Sequence, residues 1–287
     1  MTGIQFAKSA GWFLILITAA STSPLHTQTN PNAQTAASLQ QFFEGLLQRY
    51  DPSSLPKYED VLKVTDGIAA ARPEDITNAL PSIFLALAHQ DDNVKIDAAF
   101  ALTVISRRAD SARLLQDYIG RIGNLFDSSD PRLQGTPTLV FLNLKPAPPQ
   151  EVVPLLLAFL NRTDRDPQPQ GSAVFALVRI APENPKVAAA IQEFLSRPLD
   201  TKNRIDVLNA LGNPAVKDAQ LIASVIASLD DPDSGVRSTA IQVLTRIGKF
   251  ALQQAEPALS RLAADPKQPA EIQDYAKQAL RQLHSTK

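Results

Sequence analysis

The chain has 287 residues, with 28 Lys and Arg against 29 Asp and Glu, 22 Pro, 11 Gly and no Cys. Without cysteine there is no disulfide framework, thiolate metal site, cysteine nucleophile or lipidated N-terminal Cys, and any redox compartment suits it. A composition of 44% apolar and 20% charged residues is that of a packed chain, whereas 6% aromatics and near-zero net charge oppose nucleic-acid or anionic-membrane binding, which needs clustered positive charge.

The first feature along the chain is a positive-then-apolar segment. Lys8 is the only charged residue before Glu44, and it precedes Gly11, Trp12, Phe13, Leu14, Ile15, Leu16 and Ile17, then Thr18, Ala19, Ala20 and Ser21. That order, positive region, apolar region, small-residue region, is the order of a secretory signal. The 17 residues from Ile4 to Ala20 are interrupted by Lys8. They fall short of the ~20 needed to span hydrocarbon. Cleavage after Ala20 to Ser23 is therefore expected rather than a stable membrane span, with residues 1–23 as the signal and a periplasmic or secreted destination. Removing Lys8 leaves 27 basic and 29 acidic residues. Residues 24–37, uncharged and polar with Pro24 and Pro31, are expected to form a flexible leader. The sequon Asn161-Arg162-Thr163 matters only where the host glycosylates exported proteins.

Beyond the leader the chain repeats itself. Val236, Ala240, Leu244 and Ile247 follow the turn Asp231-Pro232-Asp233, and the same spacing recurs in Val94, Ala98, Leu102, Ile105 and in Ile272, Ala276, Leu280, Leu283. Weaker copies centre on Pro137, Ala173 and Val207, and the weakest on Val61. The centres 61, 98, 137, 173, 207, 240 and 276 lie 33 to 39 residues apart. One amphipathic helix per period leaves room for a second, and each gap supplies one at helical spacing: Ser38 to Tyr50, Glu74 to Gln90, Ser111 to Phe126, Glu151 to Asn161, Val187 to Ser196, Ala215 to Leu229 and Ala251 to Ala264. The unit is a helical hairpin. Gly135 and Pro137 are expected to delay the second helix of the third unit, and Asp166-Pro167-Gln168-Pro169 replaces the usual turn in the fourth.

Mid-helix prolines at Leu80-Pro81, Val153-Pro154 and Glu256-Pro257, with Asp231-Pro232 leading to Val236-Arg237 and Asp92 to Val94-Lys95, make residues 38–287 resemble HEAT or HEAT-like repeats, armadillo-like in general plan. The resemblance implies an all-α fold, a right-handed α-α superhelix (solenoid) of about seven helical hairpins whose second helices line a concave, partner-binding side. Stacked hairpins bury one continuous core that a lone hairpin could not. Proline inside a first helix would cost ~3 kcal/mol in isolation and would let that helix bend around the stack.

The residues offer little chemistry. His26 lies in the leader, His89 at a helix end and His284 near the C-terminus, and none is followed by Glu, so the paired His-Glu ligands of HEAT-like iron hydroxylases are missing. Asp91-Asp92, Asp164 with Asp166, and Asp230, Asp231 and Asp233 precede second helices. There carboxylates cap exposed amides, a better reading than a calcium loop. No Ser-His-Asp set or Gly-rich phosphate loop is present, so no catalytic, metal or cofactor-binding residue is assigned and no cofactor is expected. A DNA-binding groove would be basic, but the residues one before each centre are Asp97, Thr136, Ser172, Asp206, Thr239 and Tyr275. Arg107-Arg108 reads as a solvated helix end.

Helix geometry gives the sharper clue. The position two after each centre lies 200° from it and points away from the core. There the chain has Phe100, Leu139 and Phe175 in consecutive units, then Asn209, Gln242 and Gln278. With their neighbours these define an expected interaction patch of Phe100, Val104, Leu139, Leu142, Phe175 and Val178. The expectation is an exported, non-catalytic scaffold binding a protein or peptide and no nucleic acid. The alternative is an enzyme or accessory factor resembling the HEAT-like lyases that attach tetrapyrroles.

Overall fold

The computed structural model describes residues 65–285, and all of its regular structure is helical. A helical stretch over 65–70 carries the buried Ile68. It is followed by α1 (Pro73–Ala86), α2 (Asp92–Ser106), α3 (Ser111–Leu115), α4 (Ile119–Gly123), α5 (Pro131–Asn143), α6 (Val152–Leu160) and α7 (Pro167–Ile180). The array continues through α8 (Pro185–Leu195), α9 (Thr201–Leu211), α10 (Ala219–Ala227), α11 (Ser234–Ile247), α12 (Lys249–Ala264) and α13 (Ala270–His284). The second helices α2, α5, α7, α9, α11 and α13 each pack on the next as one layer, and α1, α3 with α4, α6, α8, α10 and α12 form the other. The expected signal, leader and helix Ser38 to Tyr50 lie outside the described residues.

The repeated spacing is the core. Ala98, Leu102, Ile105, Ala173, Leu177, Val207, Leu211, Ala240, Leu244, Ile247, Ile272, Ala276 and Leu283 are all buried. Asp residues cap five of the six described second helices, the exception being α13, which follows Pro269. Asp91, Asp130, Asp166, Asp200 and Asp233 accept hydrogen bonds from the backbone amides of Asn93, Arg132, Gln168, Asn203 and Gly235. Such a cap contributes about 0.5–2 kcal/mol over alanine.

Three local expectations are corrected. The third unit's second helix is not delayed: Asp130 caps it, Pro131 occupies its first turn, and Pro137 sits inside it, buried. Its missing N–H removes one intrahelical bond, and burial of Leu133, Val140 and Phe141 on the same helix outweighs that loss. The preceding helix is broken instead. Residues 111–127 run as α3, a 3-10 turn over Gln116–Tyr118, α4 and a second 3-10 turn over Asn124–Asp127. Gly123 lets α6 approach closely there, since a Cβ would lie 3.0 Å from the end of the Leu155 side chain, which would have to give way. Pro154 belongs to the first turn of α6, where no intrahelical bond is lost. Pro81 and Pro257 do lie inside α1 and α12, both on exposed positions where water can satisfy the freed carbonyls.

Polar staples tie one tier to the next. Arg108 is a structural clamp and not a solvated helix end: its Nη1 donates to the carbonyls of Ile68, Ala69 and Ala71 at 2.7, 3.2 and 3.0 Å, and its Nε and Nη2 hold Asp110. Arg197 donates to the carbonyl of Arg162 at 2.8 Å, and Asn213 reaches that of Val178.

Candidate functional site

The exposed surface of the second-helix layer is built from the positions that helix geometry turns away from the first helices. Phe175 on α7 is 40% exposed, one of few large apolar side chains so placed among the described residues. Phe100 on α2 and Leu139 and Leu142 on α5 are half-buried. Together they form an apolar run across three consecutive second helices. The run ends at α9, where the equivalent residue is the exposed Asn209, and the layer stays polar through Gln242 and Gln278. Val104 and Val178 do not belong to the accessible patch: Val104 is 5% exposed and Val178 fully buried. The C-terminal half of α2, from Ala101 to Ser106, is buried all round, and its hydroxyls turn back on their own helix, Thr103 to Ala99 O and Ser106 to Thr103 O.

Cations border the apolar run. The Arg179 guanidinium lies 5.5 Å from the centre of the Phe175 ring, a cation–π arrangement one helical turn apart. Arg246 on α11 reaches back to α9, where its Nη2 donates to Asn209 Oδ1 at 2.8 Å. It also lies against Gly212, since a Cβ there would meet Arg246 Cζ at 2.7 Å. Sequence reasoning missed both contacts, although an Arg six residues after the centres Ala173 and Ala240 was visible as a pattern.

At the other end of the run Asp97 is half-buried on α2. Burial first, and then the nearby Asp91 carboxylate, push its carboxyl up to about 6. Because the folded value lies above the unfolded one, the unfolded chain releases this proton first, and stability falls as pH rises from about 4 to about 6. Asp97→Asn is expected to stabilise the chain by about 1 kcal/mol at neutral pH, a figure reduced for solvent screening, and by nothing below about pH 4. Thermal melts of both proteins across that range check the sign.

The two described histidines, His89 and His284, make local polar contacts. His89 Nδ1 accepts the Asp91 amide at 3.0 Å, and His284 Nε2 lies 2.8 Å from Glu256 Oε1. Among the described residues no group of His, Cys, Asp and Glu is arranged to hold a metal ion, and no helix is long and apolar enough to cross a membrane.

Two layers of hairpins stacked in register define a helical-repeat solenoid of the HEAT/armadillo type. Residues 191–281 match the family model for HEAT repeats. No curated protein matches the sequence. An archaeal HEAT-like repeats protein from Thermococcus onnurineus NA1 shares the fold with a TM-score of 0.50 at 15% identity, over 89% of this chain and 98% of that one. A homology model of the full-length AP-3 complex in an intermediate open conformation gives 0.59 at 16% identity, over 98% of this chain and 49% of the matched chain, about half its length. A crystallised engineered protein gives 0.45 at 20% identity, over 86% of this chain and 68% of that one.

Proposed function

We propose that the chain is an exported, non-catalytic scaffold that binds a protein or peptide on the exposed face of its second helices, the side that is concave in HEAT-like arrays. The observation supporting this reading is the apolar run Phe100, Leu139, Leu142 and Phe175 in a layer whose later members are Asn209, Gln242 and Gln278. Solvent-facing aromatic and aliphatic groups gathered on consecutive repeats mark an interaction surface. The test compares affinity capture by the wild type and Phe175→Ser. The variant should keep its helicity, lose less than about 1 kcal/mol of stability as a surface change, and lose the captured partner. Unfolding of Phe175→Ser, or unaltered capture, would defeat the assignment.

Export rests on Lys8, the apolar run to Ile17 and the small residues after it. Expression in a secreting host should yield a chain whose N-terminal residue lies between Ser21 and Pro24, read by intact mass and N-terminal sequencing. A chain retaining Lys8 would contradict export by this signal.

A further inference from the structure

Resting on the second-helix reading above, we infer that the partner is an extended segment of about a dozen residues, apolar in one half and acidic in the other. Its apolar side chains would meet Phe100, Leu139, Leu142 and Phe175, and its carboxylates would meet Arg179 and Arg246. The charge distribution on the face carries this assignment. Among the described residues, neither arginine has a carboxylate partner: Arg179 is held by the Phe175 ring and Arg246 by the Asn209 amide oxygen. Glu183, four residues after Arg179, lies beyond the end of α7 without an ion pair to it, and Asp206 on α9 is paired with Lys202 at 2.8 Å on its own helix. Asp97 stands at the far, apolar end. The helix dipole accounts for arginine in the last turns of α7 and α11. It does not account for one of them stacking on an exposed phenylalanine while the other is laid across Gly212 into the neighbouring tier. Both guanidiniums are held in place while remaining exposed, which lowers the ordering cost of meeting an anion and suits the two-pronged geometry of a carboxylate.

The length follows from the layer. Packed helices lie about 8–10 Å apart, so α7 to α11 across α9 is about 20 Å, as is α2 to α7 across α5. An extended chain rises about 3.3 Å per residue, so each half accommodates about six residues. A helical ligand would need roughly twice as many per half to cover the same distance.

The probe is a fluorescein-labelled library of 12-residue peptides, six apolar-rich and six charged-or-neutral positions, screened against the full chain by anisotropy. The expected binders carry Glu or Asp in one half. They weaken about tenfold on Arg179→Glu or Arg246→Glu and recover when the peptide carboxylates are replaced by Lys. They also weaken on Gly212→Ala, which displaces Arg246 and leaves its charge in place. Binders that are basic or uncharged, yet lost on Phe175→Ser, would overturn the acidic assignment and leave the face as the binding site. Peptides bound equally by wild type and Phe175→Ser, or no binders at all, would overturn the face with it. A Phe175-dependent dimer in sedimentation without peptide would assign the surface to a second copy and overturn the peptide. Circular dichroism melts of every variant separate lost binding from lost fold.

Discussion

Phe159→Ala is expected to destabilise the chain by about 3–5 kcal/mol and to split its unfolding into two steps. Phe159 on α6 is 2% exposed, and its ring stacks on Phe126 with centres 4.2 Å apart and planes at 15°. Phe126 in turn meets Phe141 on α5 edge-on at 6.3 Å. Three rings thus join the two layers where the first helix of the third unit is broken, and little else there is long and continuous. In a solenoid each tier is stabilised by its neighbours only, so a cavity at a middle tier weakens the coupling between the two sides as well as the tier itself. Guanidinium titrations followed by circular dichroism should show one transition for the wild type and two for the variant. A single transition shifted by less than about 1 kcal/mol would mean that the ring cluster is not the coupling element.

Arg108→Met should cost about 2–4 kcal/mol, because it strands three carbonyls and a carboxylate whose donor is gone. The Arg108 side chain is 14% exposed, so water cannot replace it freely. Burial tends to raise the Asp110 carboxyl, but the Arg108 hydrogen bonds and charge outweigh it and hold the group below its ordinary value. A depressed folded value gives stability that is present above the unfolded value, near 4, and lost as pH falls through the folded one. The variant should therefore show a shallower loss of stability on acidification than the wild type. Hydrogen exchange at the Ala71 amide, which donates to Gly67 at 3.0 Å, should speed up while that of Val243 in α11 does not. Exchange unchanged at Ala71 would show that the clamp is not what holds the 65–71 segment.

The repeat was legible because two helices per period force one recurrent apolar stripe. Ala98, Ala240 and Ala276 are fully buried, small enough for neighbouring helices to approach. Pro137 was harder to read because a breaker residue signals only the bond it removes, whereas Leu133, Val140 and Phe141 bury the turns on either side. Val104 and Val178 follow from a related limit. A helix wheel assumes one narrow buried arc, but α7 is flanked by α5 and α9 within its own layer as well as by first helices, so its buried arc widens to take in Val178 while Phe175 and Arg179 stay exposed. The role of Arg108 was out of reach, since its acceptors are backbone carbonyls 37 to 40 residues away and carry no side-chain pattern.

The interrupted rod formed by α3, α4 and their 3-10 turns gives the array a mechanical character. Short helices joined by 3-10 geometry resist bending less than a single rod such as α12. Among the described tiers, flexure under load is expected to concentrate at the one between Phe100 and Phe175. A ligand gripping both of those rings would bridge that tier and is expected to stiffen it.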